Sequence, residues 1–166
     1  MKSKRIWALL LVVIGVAVYV GNVLATPSSL VTSTTLAKAQ FGELDSHVHT
    51  MPAYWQEMIK TKGLSDLYVQ SNVWAPGGST GWHTHPGPSL VIVTAGTLTV
   101  YEGDDPSCTP HVYSANGANS FVDIGGGDVH LVRNEGTAEA RTVVVQLIPS
   151  GAVRRIDAPD PGNCSF

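Results

Sequence analysis

This 166-residue chain lacks the features that mark the commonest nucleotide-binding and hydrolytic proteins. Beyond the first five residues its Lys and Arg side chains are scattered, and the formal net charge is −3. Because nucleic-acid recognition requires a basic patch, we expect no nucleic-acid partner. The sequence also lacks a glycine-rich phosphate loop, a dinucleotide fingerprint, a Ser-His-Asp pattern and internal repeats. These absences argue against nucleotide-dependent enzymes, serine hydrolases and solenoids.

The N-terminal segment predicts export from the cytoplasm. Basic residues at positions 2, 4 and 5 precede an apolar run from Ile6 to Val20, and small or aliphatic residues follow at positions 23–25. This order is typical of a signal peptide over residues 1–25. The alternative is an uncleaved helical anchor formed by residues 6–25, because about 20 apolar residues can cross a bilayer. Either interpretation makes the folded part extracytoplasmic, whether secreted or attached to the membrane.

Cysteine is scarce, and its two occurrences predict one disulfide. Cys108 and Cys164 are the only cysteines, and they do not form a C-x-x-C pair. In an exported chain, two such cysteines are typical of a structural disulfide. Since Cys164 lies in a proline-rich tail, this bond would hold the tail against the domain and stabilise the fold by about 2–4 kcal/mol.

The remaining sequence predicts a single all-β domain over residues 37–166. Residues 26–36 are rich in Ser and Thr without periodicity, and we expect a spacer there. Residues 36–59 contain apolar side chains that must pack, either as a short helix or as an added edge strand. From residue 66 to about 150, short alternating segments with frequent Gly and Pro turns are typical of a β-sandwich or barrel.

Three histidines in two strand-like segments predict a metal site. His83 and His85 are two residues apart, so they project from the same face of a strand, and His130 lies in a second such segment. Three neutral imidazoles suit Zn, Cu, Fe or Ni and leave positions open for water or substrate. His47 and His49 have the same spacing without the glycines that surround His83, so we expect them on an exposed strand or loop.

Two motifs around these histidines resemble those of the cupin family. The first cupin motif has the pattern Gly-x(5)-His-x-His-x(3,4)-Glu-x(6)-Gly. Gly77, His83, His85 and Gly96 match it. The second cupin motif has the pattern Pro-x-Gly-x(2)-His-x(3)-Asn. Gly127, His130 and Asn134 match it. Two positions depart from the pattern, because Ser89 replaces the glutamate and Gly125 replaces the proline.

The resemblance covers residues 66–150 and implies a double-stranded β-helix, or jelly-roll barrel. It also implies one divalent metal ion, which could be Fe, Ni, Mn, Cu or Zn, bound by His83, His85 and His130. Many cupins pair through their edge strands, so the resemblance is compatible with a homodimer. A fold does not fix an activity, and cupins include dioxygenases, isomerases, storage proteins and sensing domains.

The replacement of the glutamate by Ser89 leaves two functions open. Among cupins, a site with three histidines resembles the sites of thiol dioxygenases and diketone-cleaving dioxygenases. This resemblance favours a metal-dependent oxidoreductase that acts on a small, preferably anionic, organic molecule. The same replacement is compatible with a non-catalytic module at the cell envelope that binds metal or a small ligand. A sugar isomerase is less favoured, because no set of Lys, Glu and Tyr accompanies the motifs. The further candidates are Ser89, Gln70 and Gln146 for catalysis and Trp74 and Tyr68 for substrate binding.

Overall fold

The regular elements of the described chain are all β-strands, as expected. The computed structural model describes residues 25–51 and 54–166. The predicted signal peptide or anchor helix therefore lies outside the described residues, apart from Ala25. Within the described ranges, no helix is long and apolar enough to span a membrane.

Twelve strands form one large sheet and one separate hairpin. They are β1 (Ser29–Phe41), β2 (Asp45–Thr50), β3 (Trp55–Lys60), β4 (Ser65–Ser79), β5 (His83–Thr84), β6 (Ser89–Ala95), β7 (Thr97–Glu102), β8 (His111–Ser114), β9 (Ser120–Asp123), β10 (His130–Arg133), β11 (Ala140–Pro149) and β12 (Ile156–Asp157). Ten of them belong to a sheet whose main path runs β12-β5-β10-β4-β11-β6-β9. Strand β1 pairs with β4, whereas β7 pairs with β10 and β8. This sheet curls into a nearly closed jelly-roll barrel, and the predicted fold class is confirmed.

Alternation along the long strands decides which side chains face the barrel interior. In β11, every second residue from Ala140 to Ile148 is buried, and the residues between them are more exposed. In β6, Ser89, Val91 and Val93 are buried by the same alternation. Successive side chains of a strand point to opposite faces, so each of these strands supplies one row of side chains to the interior.

The apolar interior is divided into two clusters. One consists of Trp74, Val93, Leu98, Val100, Val132 and Ala140. The other consists of Trp82, Tyr101, Leu131 and Ala158, and it packs against the two cysteines. Cys108 and Cys164 form the predicted disulfide. The bond fixes the C-terminal tail beside Trp82, which immediately precedes the first histidine of the motif.

The spacer expected over residues 26–36 is wrong for most of its length. From Ser29 onward this segment belongs to β1, which pairs antiparallel with β4. Its side chains are nearly all exposed, so no alternation of apolar and polar residues marks it in the sequence. Thr and Val have high strand propensity, and the open edge of β4 supplies hydrogen-bond partners. Long-range pairing therefore creates this strand.

The described part of residues 36–59 is mostly β-structure, and the end of β1 agrees with the edge-strand alternative. It contains the end of β1 and the hairpin of β2 and β3. This hairpin pairs only within itself, from Asp45 opposite Lys60 to Thr50 opposite Trp55. His47 and His49 lie on β2 and are exposed, as expected.

Candidate metal centre

Two paired strands, β5 and β10, bring the predicted histidines together at one place in the barrel, and His85 directly follows β5. His130 opens β10 directly opposite His83 of β5. The ring centroid of His83 lies 4.3 Å from that of His130 and 4.8 Å from that of His85. Each histidine offers one ligand nitrogen, and these three atoms lie within 4.8 Å of one another. The His-x-His spacing therefore places two rings on one side, as predicted, and strand pairing adds the third.

A turn of three glycines at positions 125–127, here called the glycine corner, holds the two histidine segments in register. The amide of Gly126 donates a hydrogen bond to the carbonyl of His85 at 2.7 Å. At Gly125 the backbone has a φ of 67°, and a Cβ atom there would lie 2.4 Å from the carbonyl oxygen of Gly87. Proline is locked near a φ of −65°, so it cannot adopt this conformation. This explains why Gly125 replaces the proline of the cupin motif.

Backbone carbonyls fix the orientation of two of the three rings. Nδ1 of His85 donates to the carbonyl of Arg154 at 2.6 Å, and Nδ1 of His83 donates to the carbonyl of Gly81 at 3.0 Å. A carbonyl only accepts, so the proton must be on Nδ1 and the lone pair on Nε2. Such contacts are typical of metal-binding histidines, because they set the tautomer and the ring angle.

Burial keeps the imidazoles neutral. Desolvation, with the nearby charges of His130 and Arg155, lowers the pKa of His83 to about 2. Burial also lowers the pKa of His85 and of His130, although the Arg154 carbonyl and Asp123 respectively oppose the shift. A neutral imidazole is the form that coordinates a metal ion. The three side chains therefore fit a divalent transition metal in both geometry and protonation state.

The histidines line a cavity of about 270 Å³ inside the barrel. Its polar wall contains the predicted candidates Ser89, Gln70 and Gln146. The amide nitrogen of Gln146 donates to Ser89 Oγ at 3.3 Å and to the Arg154 carbonyl at 3.2 Å. Gln146 therefore contacts the same carbonyl that orients His85.

The two predicted substrate-binding aromatics have different positions. Trp74 lines the cavity but belongs to the apolar core, and its Nε1 donates to Thr142 Oγ1 at 3.3 Å. Tyr68 does not line the cavity. Its ring lies under the guanidinium of Arg154, with 4.1 Å between Cζ and the ring centroid. Tyr68 therefore supports a residue of the cavity wall. The buried Asn134 binds three backbone carbonyls and has a structural role.

Three charged residues of this cavity, Asp123, Arg154 and Arg155, are not among the residues predicted from the sequence. Asp123 ends β9, and its Oδ2 lies 3.6 Å from Nε2 of His85 while its Oδ1 lies 3.7 Å from Nδ1 of His130. Strand alternation in the sequence could have indicated Asp123, because it is two residues from Phe121 and so lies on the same face of the strand. Arg154 follows the last long strand, and no local pattern connects it with the histidines.

A barrel with inward-facing histidines at a small cavity has a geometry that can hold a metal ion, and the comparisons with known proteins identify the domain. Residues 73–146 match the family model of the cupin domain. This part of the chain is thus a cupin domain. A comparison with curated proteins gives no match.

Three solved structures are similar to this chain. The polyketide cyclase RemF from Streptomyces resistomycificus is 16% identical, with a TM-score of 0.51 over 84% of this chain and 81% of that one. A cupin superfamily protein from Desulfitobacterium hafniense is 13% identical, with a TM-score of 0.46 over 75% and 84%. An oxalate oxidase is 25% identical, with a TM-score of 0.41 over 51% of this chain and 46% of that one. The likeness to the cyclase shows the fold alone.

Proposed function

We propose that this protein binds one divalent metal ion through His83, His85 and His130 and acts as a metal-dependent oxidoreductase, dioxygenase-like, on a small organic anion. The observation that carries the proposal is the convergence of three neutral imidazoles, within 4.8 Å of one another, on the wall of an internal cavity. Three protein ligands leave coordination positions free for substrate.

The protein's own groups have defined tasks in this proposal. A bound ion would supply Lewis acidity and, if it is redox-active, an electron-transfer partner. The carbonyls of Gly81 and Arg154 hold His83 and His85 in the tautomer that presents Nε2. Buried apolar side chains such as Trp74 and Val132 form part of the cavity wall and lower the local dielectric constant, which strengthens electrostatic interactions there.

The cavity favours a small substrate with a negative charge. A volume of about 270 Å³ lies below the range of typical drug-sized ligand pockets. Two arginines line it, but the charge of Arg155 is balanced by Asp157 at 2.6 Å. The side chain of Arg154 contacts only neutral groups among the described residues, which are Gln70, Gln146, Thr35 and the ring of Tyr68. Its positive charge is therefore available to a carboxylate or an enolate.

We also propose that the protein works outside the cytoplasm. The Cys108–Cys164 disulfide supports this location, because such bonds persist in oxidising compartments. The N-terminal sequence supports it independently, either as a cleaved signal or as an anchor.

A non-catalytic binding module remains the second candidate, and one observation favours it. The polar wall of the cavity is hydrogen-bonded to itself: Gln70 donates to Asn72, and Asn72 donates to Thr142. These amides and hydroxyls can hold a ligand but are poor general acids and bases.

Metal analysis and oxygen uptake separate these functions. We expect the disulfide-bonded protein to contain or take up one equivalent of a divalent metal, and the His83→Ala variant to contain none. The metal-loaded protein is then offered diketones, thiols and small carboxylates in an oxygen electrode. Metal-dependent oxygen uptake with any of them supports the oxidoreductase, whereas metal and ligand binding without turnover supports the binding module. Failure of the wild-type protein to bind metal would contradict the oxidoreductase and leave a module that binds only a small ligand.

A further inference from the structure

We infer that Asp123 is the anionic ligand of the metal centre and replaces, from the neighbouring strand, the glutamate that Ser89 does not supply. This inference rests on the proposed metal site and defines its donor set. Sequence motifs alone indicate three neutral ligands. The structure adds a carboxylate that neither motif contains.

The position of Asp123 follows from strand pairing. In the antiparallel pair of β6 and β9, Asp123 lies directly opposite Ser89. Opposed residues of such a pair project to the same face, with their Cβ atoms about 4.5–5.5 Å apart. Both side chains are buried and line the cavity beside the histidines. A carboxylate at position 123 can therefore reach the space that a glutamate at position 89 would reach.

The hydrogen bonds of Asp123 leave one oxygen available. Oδ1 accepts a hydrogen bond from the amide of Gly125 at 2.8 Å, which fixes the side-chain angle at the glycine corner. Oδ2 is buried and has no hydrogen-bond partner among the described residues, and Nδ1 of His130 is in the same situation. A buried carboxylate oxygen without a partner is costly, so its position beside the histidines favours a cation that completes its environment.

The distances fit shared coordination better than direct hydrogen bonding. Oδ2 of Asp123 lies 3.6 Å from Nε2 of His85, and Oδ1 lies 3.7 Å from Nδ1 of His130. Both distances exceed those of N–H···O hydrogen bonds. Two ligand atoms that each lie about 2.1 Å from one ion are about 3.0–3.4 Å apart at common coordination angles. The separation between Oδ2 and Nε2 of His85 exceeds the upper value by only about 0.2 Å (3.6 against 3.4 Å), so a small movement of the Asp123 side chain would let both atoms bind one ion.

A carboxylate in the donor set has chemical consequences. It halves the net charge of a divalent centre and adds an oxygen to an otherwise all-nitrogen set. Such mixed sets suit Mn²⁺ and Fe²⁺ better than purely imidazole sets do, and they disfavour Cu⁺. The neighbouring charge of Arg154 then becomes the main attraction for an anionic substrate.

The test is a titration with Co²⁺, followed by calorimetry and by the visible absorption of the bound ion. Asp123→Asn keeps an oxygen for the Gly125 amide but removes the anionic ligand. We expect it to weaken Co²⁺ binding by about 10- to 100-fold and to change the absorption spectrum. Asp45→Asn removes the same charge from the exposed hairpin and should bind like the wild type.

An exchange between strands completes the test. The double variant Ser89→Glu, Asp123→Asn supplies the carboxylate from β6 instead of β9. We expect this variant to recover most of the Co²⁺ affinity that Asp123→Asn loses. If Asp123→Asn does not fold, Ser89→Glu with Asp123→Ser is compared with the wild type instead, and binding within about tenfold of the wild type supports the inference. Unchanged affinity and spectrum in folded Asp123→Asn overturn the inference and leave the three-histidine site standing. No Co²⁺ binding by the wild type overturns the site itself.

Discussion

Two His-x-His pairs occur in this chain, and only one of them is built into a site. His83 and His85 lie in the barrel, with carbonyls on their Nδ1 atoms and a third histidine 4.3 Å from His83 between ring centroids. His47 and His49 lie on the β2–β3 hairpin, exposed and opposite Met58 and Gln56. In both pairs, the spacing of two residues places the two histidine side chains on the same face of the strand. The surroundings decide whether that face can bind a metal.

The difference reflects how each region is held. The histidine strands β5 and β10 pair on both sides within the barrel. The hairpin strands pair with each other in a separate sheet, and their apolar side chains Val48, Trp55, Met58 and Ile59 are exposed. A lone two-stranded hairpin is at best marginally stable in water. Metal binding needs ligands that are held before the ion arrives, so only the barrel pair meets this requirement.

The largest expected effect separates the two pairs directly. His130→Ala removes a barrel ligand and should lower the affinity for Co²⁺ or Zn²⁺ by at least about 100-fold. The double variant His47→Ala, His49→Ala should bind like the wild type, since the hairpin lacks a third ligand and a fixed tautomer. Calorimetric titration of both variants measures this contrast. A metal affinity of His130→Ala equal to that of the wild type would contradict the proposed difference between the two histidine pairs.

Apolar truncations test whether the two regions differ in packing as well as in chemistry. Leu98 is fully buried in the barrel core, whereas Met58 on the hairpin is 72% exposed. We expect Leu98→Ala to lower the free energy of unfolding by about 2–5 kcal/mol, through lost burial and the cavity it leaves. Met58→Ala should change it by less than about 0.5 kcal/mol. Urea unfolding gives both values, and similar losses would mean that the hairpin packs as firmly as the barrel.

The disulfide should matter to the barrel and not to the hairpin. It closes a separation of 56 residues and holds the tail against Trp82 and Tyr101. Cys108→Ser with Cys164→Ser should therefore lower the free energy of unfolding by about 2–4 kcal/mol. Hydrogen exchange should become faster in the tail and around Trp82 and stay the same in residues 45–60. An unchanged stability would show that the tail is held by packing alone.

The smallest expected effect concerns one buried carboxylate. Asp66 of β4 accepts a hydrogen bond from the Gly151 amide and pairs with Lys38 at 3.1 Å. These contacts, the amide first, lower the pKa of Asp66 below its ordinary value of 3.8. A lowered folded-state pKa stabilises the fold above the unfolded-state pKa, and this contribution is lost as the pH falls through the folded-state value.

Substitution at two aspartates makes this pH dependence measurable. Asp66→Asn should be less stable than the wild type at neutral pH and should lose less stability as the pH falls below about 4. Asp45 and Lys60 pair at 2.9 Å on the exposed hairpin, and Asp45→Asn should change stability by less than about 1 kcal/mol. Urea unfolding at a series of pH values tests both. Parallel curves for wild type and Asp66→Asn would contradict the account.

Much of the barrel and its histidines could be predicted from local patterns. Alternation identified the long strands, and glycine and proline identified the turns. His83, His85, Ser89 and Gln146 are candidates in the sequence and all line the cavity. The fold prediction succeeded because strand periodicity and motif spacing are local properties of the sequence.

Features that depend on long-range pairing were not predicted. β1 was expected to be largely spacer, since its exposed Ser and Thr residues give no alternation, and only the edge of β4 makes it a strand. Asp123 approaches His85 because β9 pairs with β6, and Arg154 approaches it because the chain after β11 folds back over the barrel. Neither arrangement follows from the neighbouring residues in the sequence.

The measurement that tests the central claim most directly is an anomalous-difference map at the cobalt edge, from crystals of the disulfide-bonded protein soaked in Co²⁺. The account predicts one strong peak inside the barrel, within coordination distance of His83, His85 and His130, and no peak at the hairpin histidines. A barrel without a peak, or a peak at His47 and His49 alone, would contradict it.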